Sequence, residues 1–385
     1  MAKADHPWAK PAQVAPDDAR PLAGVRVLDF STLLPGPLAS LMLAEAGAEV
    51  LRVERPGGDE MRAYAPMLGK NAANFALLNR GKRSLEIDLK AQGAVARLKP
   101  LLKAADVLIE QFRPGVMDRL GLGWEAVKAI NPGLIYCSIS GFSSKGPLAD
   151  VAGHDMNYLA RAGILDLSAD ANGTPTLPPI LAADVGGGAY PAVINVLMAL
   201  LARARTGKGT RVDLAMADCL YPFAYWVLAQ GFAGDSWPRG GSAMLVGGSP
   251  RYQIWRTKDG RHLTAAPLEE RFWKVFCQVI GLPEELRNDS RDPEATKKGI
   301  AALIATRSAA DWLKAFEGQD ACVALVATLE EAVTSPAFAP LFATRKAGQD
   351  GRFIPAIPLP LAPEFLGPDE AEAPALGEAN SDFLG

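Results

Sequence analysis

Two short stretches carry residue types able to move a proton or to hold a developing charge. Gly153-His154-Asp155-Met156-Asn157-Tyr158 places one of only three histidines between a glycine and a carboxylate. Imidazole is the side chain whose ordinary pKa lies nearest neutrality, so it can both take and return a proton under physiological conditions. The other two histidines, His6 and His262, fall in an N-terminal tail and in a hairpin-like segment. The second stretch is Asp184, followed by Gly186-Gly187-Gly188 and a long apolar run. An aspartate there has a plain structural use as a helix N-cap, its oxygen accepting otherwise orphaned N–H groups. Three successive glycines, however, pack nothing and cost backbone entropy. They point to a ligand brought close to bare N–H groups, such as a thioester oxygen that gains charge during reaction, which makes Gly186 and Gly187 candidate binding positions. Glu269, in Pro267-Leu268-Glu269-Glu270-Arg271-Phe272-Trp273, reads by itself only as an acid at a helix start.

Cations are numerous in the first half of the chain. Arg52, Arg55, Lys82, Arg83, Lys90, Arg113 and Arg119 fall at or near the ends of β-branched runs. Several of them on the loops of one sheet could clamp a phosphate-rich ligand such as a nucleotide or coenzyme A (CoA), since guanidinium groups offer paired donors. A strand at Val25–Phe30, the turn Pro35-Gly36-Pro37 and an acid, Glu54, ending a second strand have the spacing of a dinucleotide fold. The GxGxxG glycines that let backbone approach a pyrophosphate are absent, which argues against NAD and FAD.

The elements that must position these residues follow from pattern. Val25–Phe30, Glu49–Val53, Ser84–Leu89, Val107–Phe112, Leu134–Ser140 and Arg211–Met216 are apolar on most positions, as strands covered on both faces should be. Leu38–Ala46, Ala91–Ala104, Trp124–Ile130 and Pro191–Ala204 read as helices between them, and this alternation predicts an α/β, Rossmann-like doubly wound parallel sheet. The apolar stretch Val185–Ala202 contains glycines, Pro191 and Asn195 and is expected as a buried helix, not a membrane span. With 385 residues, two domains are expected. Residues 1–20 read as a flexible tail, 21–219 as the large domain and 220–335 as a linker and small α+β domain, with 336–385 a Pro- and Gly-rich segment returning to the large domain. Tyr252–Trp255 and His262–Ala265 are expected to pair as a hairpin across Asp259-Gly260. Helices are expected at Arg271–Ile280 and Ala309–Glu317. Hydrophobic residues make up 49% and charged residues 22%, which excludes disorder as the main state. A net charge of -3 without basic runs leaves no footprint for nucleic acid. Cys137, Cys219, Cys277 and Cys322 lack CxxC or CxxH spacing, so neither zinc nor a disulfide framework is expected. The tail has no apolar core of a signal peptide, and a cytoplasmic protein is the expectation.

Ordered motifs from Pro21 to about Ile280 resemble family III CoA-transferases. They are Pro21-Leu22-Ala23-Gly24-Val25-Arg26-Val27-Leu28-Asp29, Leu33-Leu34-Pro35-Gly36-Pro37, Asn79-Arg80-Gly81-Lys82-Arg83-Ser84-Leu85, Arg113-Pro114-Gly115-Val116 and Arg205-Thr206-Gly207-Lys208-Gly209. The resemblance implies two chemistries on one scaffold. In the transferases an aspartate is acylated and CoA then passes to a second carboxylate; in the α-methylacyl-CoA racemases the aspartate instead exchanges protons opposite a histidine. Asp184 matches that aspartate, and Gly153-His154-Asp155-Met156-Asn157-Tyr158 resembles the racemase GHDxNY, where transferases carry an aromatic residue in place of His154. Glu269 resembles a racemase glutamate near the active site. The resemblance further implies that CoA is substrate and no separate cofactor or metal is needed. It assigns CoA binding to Arg55, Ile87, Lys90, Gln111, Phe112, Arg113, Arg119, Gly153, Asp155 and Tyr158, and implies an interlocked homodimer. Leu245-Val246-Gly247-Gly248-Ser249-Pro250-Arg251-Tyr252 departs from the racemase LDGGxPxY by placing Val246 where an acid usually stands.

Overall fold

A computed structural model describes residues 7–9, 18–170, 173–234 and 236–384 of the chain. Of the expected flexible tail, residues 1–6 and 10–17 lie outside these. Trp8 corrects the expectation where the tail is described: it is 2% exposed, its carbonyl accepts from Arg26 Nη1 at 2.9 Å, and its ring meets Phe383 edge-on.

Six parallel strands form the centre of the first body. They are β1 (Arg26–Asp29), β2 (Glu49–Glu54), β3 (Arg83–Glu86), β4 (Val107–Glu110), β5 (Ile135–Ser140) and β6 (Arg211–Ala215), in the order β3-β2-β1-β4-β5-β6. Val27 pairs with Val50 on one side and Val107 on the other. Val27, Leu28, Leu85, Val107, Leu108 and Ile109 are wholly buried, as a sheet covered on both faces requires. One helix layer contains α1 (Pro35–Glu45), with α2 (Ala73–Asn79) against it. The helices α3 (Ala94–Ala104) and α5 (Trp124–Ile130) pack together, and Leu98, Leu101 and Val127 join Leu28, Leu51, Leu85 and Leu108 of the strands. Between them in sequence lies the short α4 (Val116–Arg119), and α6 (Asp155–Arg161) follows β5. The strand order reverses between β1 and β4, and in open α/β sheets a crevice forms at the carboxyl ends of strands around such a reversal.

The apolar run after Leu181 is two helices in one: a π-helix, Ala182–Ala189, continued by α7 (Tyr190–Thr206) and closed by Gly207 at φ +68°. Together, Ala182–Thr206 is long and apolar enough, by length and composition, to cross a membrane. The expectation of a buried helix holds for one face only. Ala192, Val193, Val196 and Ala199 are buried, and α7 packs on α1, β5 and β6. Ile194, Met198 and Leu201 are 50%, 61% and 70% exposed, because a helix of period 3.6 turns only one stripe toward the sheet.

Residues 338–385 cluster with the first body. Their strands β10 (Lys346–Gln349), β11 (Arg352–Pro355) and β12 (Glu370–Glu372) form a small sheet in the order β11-β10-β12. Arg345 ties this segment to Glu45 of α1 at 2.5 Å, and the Glu86 N–H donates to Asn380 Oδ1 at 2.8 Å.

The second body comprises residues 163–179 and 223–337. Gly163–Pro179, expected in the large domain, belongs here because the Gly240 N–H donates to the Asp166 carbonyl and Gly240 packs on Ala169. Its sheet is antiparallel, with β7 (Gln253–Arg256), β8 (His262–Ala265) and β9 (Val323–Leu325) in the order β9-β8-β7. The expected two-residue turn is a longer connection: Thr257 N–H bonds the Arg261 carbonyl, and Gly260 takes φ +79° to close it. After α8 (Tyr225–Ala233), α9 (Glu270–Ile280) turns Trp273, Phe276, Cys277 and Ile280 onto a core completed by Trp255, Leu263, Trp312 and Phe316. All four cysteines are free thiols.

Candidate active site

A cavity of about 650 Å³ opens at the carboxyl ends of β1, β4, β5 and β6. Thr32–Pro35 line it after β1, Gln111–Pro114 after β4, Ser140–Phe142 after β5 and Met216 after β6. Gly153, His154, Asn157, Tyr158 and Asp184 line it as well, as do Met61 and Tyr64. His154, Asp184, Gln111, Phe112, Arg113, Gly153 and Tyr158, all expected from sequence, are thereby brought to one space.

His154 sits at the N-cap of α6 with an extended backbone, and its N–H donates to Asn157 Oδ1 at 3.1 Å. That bond fixes the backbone of His154 and leaves the exposed imidazole to the cavity. The Tyr158 hydroxyl donates to the Gly153 carbonyl, and its ring packs edge-on against Phe142. Gly141 is required beside it: a Cβ there would stand 2.2 Å from the Tyr158 ring.

The Asp155 side chain is used inside the fold: it is buried, and its Oδ1 accepts the N–H groups of Ala183 at 2.7 Å and Asp184 at 2.9 Å. Two donors orphaned at the start of the π-helix are thus satisfied by a carboxylate from α6. Asp184 is therefore not the N-cap it resembles in sequence; Leu181 holds that place, and Asp184 lies within the first turn. Burial, and secondarily the Asp155 charge, push its carboxyl up from 3.8 to about 6, against the opposing pull of His154. A group so tuned can both accept and donate a proton near neutrality.

Two of the three glycines have a packing reason. A Cβ on Gly187 would lie 2.4 Å from the Met216 carbonyl oxygen, and one on Gly188 would lie 2.9 Å from Met216 Sδ and 3.0 Å from Pro35 Cβ. Gly187 and Gly188 let the π-helix lie directly on the end of β6 and the start of α1, which places Asp184 at the cavity. Gly186 and Gly187 are themselves absent from its lining.

The remaining basic positions lie apart. Ile87 lines a second depression of about 300 Å³ after β3, with Pro56, Asp88 and Arg97. Arg55, Lys90 and Arg119 are exposed and line neither space, and Arg55 pairs with Glu60 at 3.0 Å. Glu269 is in the second body, exposed at the N-cap of α9. Among the described residues no group of three or more His, Cys, Asp or Glu side chains is placed to hold a metal ion.

Sequence reasoning missed how the walls are held. Gln111, expected only as a ligand contact, also accepts the Gly36 N–H on Oε1 at 3.1 Å, joining the turns after β1 and β4. Glu110, buried at the end of β4, accepts the Phe112 N–H at 2.8 Å and the Ser138 hydroxyl, and burial raises it to about 7. Beneath the β1 turn lies a buried charge cluster of Asp29, Arg52, Glu54, Asp59, Arg62 and Lys82. Its one signal in sequence is Arg52 and Glu54 inside an otherwise apolar strand.

The sequence model described as CoA-transferase family III matches residues 22–380. The chain belongs to CoA-transferase family III. Among its family relatives, the human alpha-methylacyl-CoA racemase is 39% identical over 317 residues, 81% of this chain and 79% of the relative. The acetyl-CoA:oxalate CoA-transferase of Acetobacter aceti is 32% identical over 374 residues, 93% of each. The crystal structure of a CaiB/BaiF family protein from Brucella suis superposes with a TM-score of 0.78 at 29% identity, covering 94% of this chain and 97% of that one. CoA-transferase family III thus supplies both racemases and transferases as relatives, and the six-stranded sheet and the cavity residues of this chain all fall within the matched span.

Proposed function

We propose that the protein is an α-methylacyl-CoA racemase-like isomerase that epimerises 2-methylacyl-CoA thioesters. The observation that carries this reading is the pair His154 and Asp184 on separate elements of one cavity, with Asp184 held near pH 6. Inversion at a carbon α to a thioester needs one group to take the α-proton from one face and another to deliver a proton to the opposite face. One of the pair breaks the C–H bond and keeps the proton; the electron pair moves to the thioester oxygen as an enolate. The other then protonates the α-carbon, and the enolate collapses to the thioester with inverted configuration. The enolate oxygen needs N–H donors, and the start of α6, which carries His154 at its N-cap, has first-turn N–H groups that helical bonding leaves free. Arg113, at the cavity, suits the phosphates of CoA. On the same reading the protein is a homodimer, and Glu269 serves the site of the second copy; light scattering tests the dimer.

His154→Ala is expected to lose racemisation of both enantiomers while still binding CoA. Racemisation unchanged in that variant contradicts the two-base reading. The similarity to an acetyl-CoA:oxalate CoA-transferase over 93% of the chain favours a second reading, CoA transfer through an acyl anhydride on Asp184. It predicts parallel-line kinetics with two carboxylates and a covalent mass increase at Asp184.

A further inference from the structure

The turn leaving β1 is held in a conformation its sequence does not favour. Leu33 takes φ +60°, in the left-handed region that branched and bulky side chains avoid. Its N–H donates to Asp59 Oδ2 at 3.0 Å. The same carboxylate uses Oδ1 to accept the Met61 N–H at 2.9 Å, capping the short helix Glu60–Ala63. Arg52, wholly buried, pairs with Oδ2, and the Asp59 N–H is itself held by Glu54 Oε2 at 3.1 Å. Asp59 is 5% exposed and does not line the cavity, yet Leu33, Met61 and Tyr64 all do. One buried carboxylate therefore collects donors from three segments, two of which are walls of the site.

We infer that Asp59 is a positioning residue that locks the Leu33 turn and the Met61–Tyr64 turn together and thereby sets the fit of the thioester substrate. The inference rests on the proposed acyl-CoA reading for the identity of the ligand, but not for the coupling of the two walls. Arg52 pairs with this carboxylate, and N–H bonds to a carboxylate in an ion pair are charge-assisted. Asparagine at 59 offers one acceptor oxygen to two donors and turns an NH2 toward Arg52, so at least one wall is released. A residue serving only as core ballast would lower stability without making Leu33 and Met61 depend on each other.

The test is a double-mutant cycle between Asp59→Asn and Leu33→Gly, since glycine adopts φ +60° without strain and needs no clamp. Binding of free CoA and of 2-methyldecanoyl-CoA is titrated by calorimetry, alongside melting temperature and amide hydrogen exchange. Asp59→Asn is expected to weaken 2-methyldecanoyl-CoA about tenfold in the native background, the loss of one charge-assisted hydrogen bond, and markedly less in the Leu33→Gly background. Exchange at the Leu33 and Met61 amides is expected to accelerate together. Equal weakening in both backgrounds, or a lower melting temperature with unchanged affinity and unlinked exchange, overturns the inference. If the wild type binds neither probe, the acyl-CoA reading falls; hydrogen exchange then decides the coupling alone, and separate opening of the two turns refutes it. Should Asp59→Asn not fold, Asp59→Glu, which keeps the charge opposite Arg52 while displacing the acceptor oxygens, is measured in the same way with the same outcomes.

Discussion

Replacing Asp184 by asparagine removes an ionisable group that the fold does not favour in its charged form. The carboxyl has its ordinary value of 3.8 in the unfolded chain and about 6 in the folded one, chiefly because it is buried. Between those values the folded state binds the proton more tightly than the unfolded state, so this group makes stability fall as pH rises from about 4 to about 6. Each pH unit is worth about 1.4 kcal/mol, or about 3 kcal/mol in all if solvent screened nothing. The carboxyl lines the open cavity, and solvent screening there reduces the expected effect to about 1–2 kcal/mol. Asparagine is nearly isosteric and uncharged, so Asp184→Asn is expected to be more stable than wild type at pH 8 and to lose most of that advantage at pH 4. Chemical denaturation of both proteins at the two pH values reads this directly. An advantage that is independent of pH, or that grows toward acid, would refute the reasoning. Activity should disappear in the same variant, the stability cost being the counterpart of a proton-transfer group held near neutrality.

Asp155 acts on Asp184 through charge as well as through the N–H groups it caps. Asp155→Asn can keep one acceptor oxygen on those groups while deleting the charge; the acid limb of kcat/KM, expected near pH 6 in the wild type, should move lower yet stay above 3.8, since burial is the larger cause. A limb that stays put would mean the two carboxyls are not coupled. Gly187→Ala places a Cβ 2.4 Å from the Met216 backbone oxygen, which cannot swing aside. A loss of about 1–3 kcal/mol is expected for such overpacking, with kcat falling further than KM rises because the π-helix carrying Asp184 must shift. Tm and steady-state kinetics together check this, and an alanine variant of wild-type stability would contradict the packing account.

Much of the fold was legible because its strands are buried on both faces. Val27-Leu28, Val50-Leu51 and Val107-Leu108-Ile109 admit little else, and Gly207 marks the end of α7 plainly. The π-helix was not legible: its spacing differs little from an α-helix over eight residues, and the close approach of its glycines to Met216 is a tertiary contact. The exposed stripe of α7 was hidden for a related reason, since apolar composition does not say which face meets the sheet. His154 and Asp184 stood out in sequence by residue type, and both line the cavity. The role of Asp155 did not stand out, because a carboxylate beside a histidine reads as a second functional group until its oxygen is seen on the Ala183 and Asp184 amides. Asp59 was missed for the same cause: it is 26 residues from Leu33, and the two meet only in the folded chain.

The central claim is that His154 and Asp184 exchange the α-proton of an acyl-CoA. Incubating the protein with a single enantiomer of a 2-methylacyl-CoA in deuterated water, without any free carboxylic acid, tests it most directly by mass spectrometry and chiral analysis. Deuterium at the α-carbon together with appearance of the opposite enantiomer is the predicted result. No α-exchange, with CoA moving to a carboxylic acid once one is added, would contradict it and make Asp184 a nucleophile with His154 outside the chemistry.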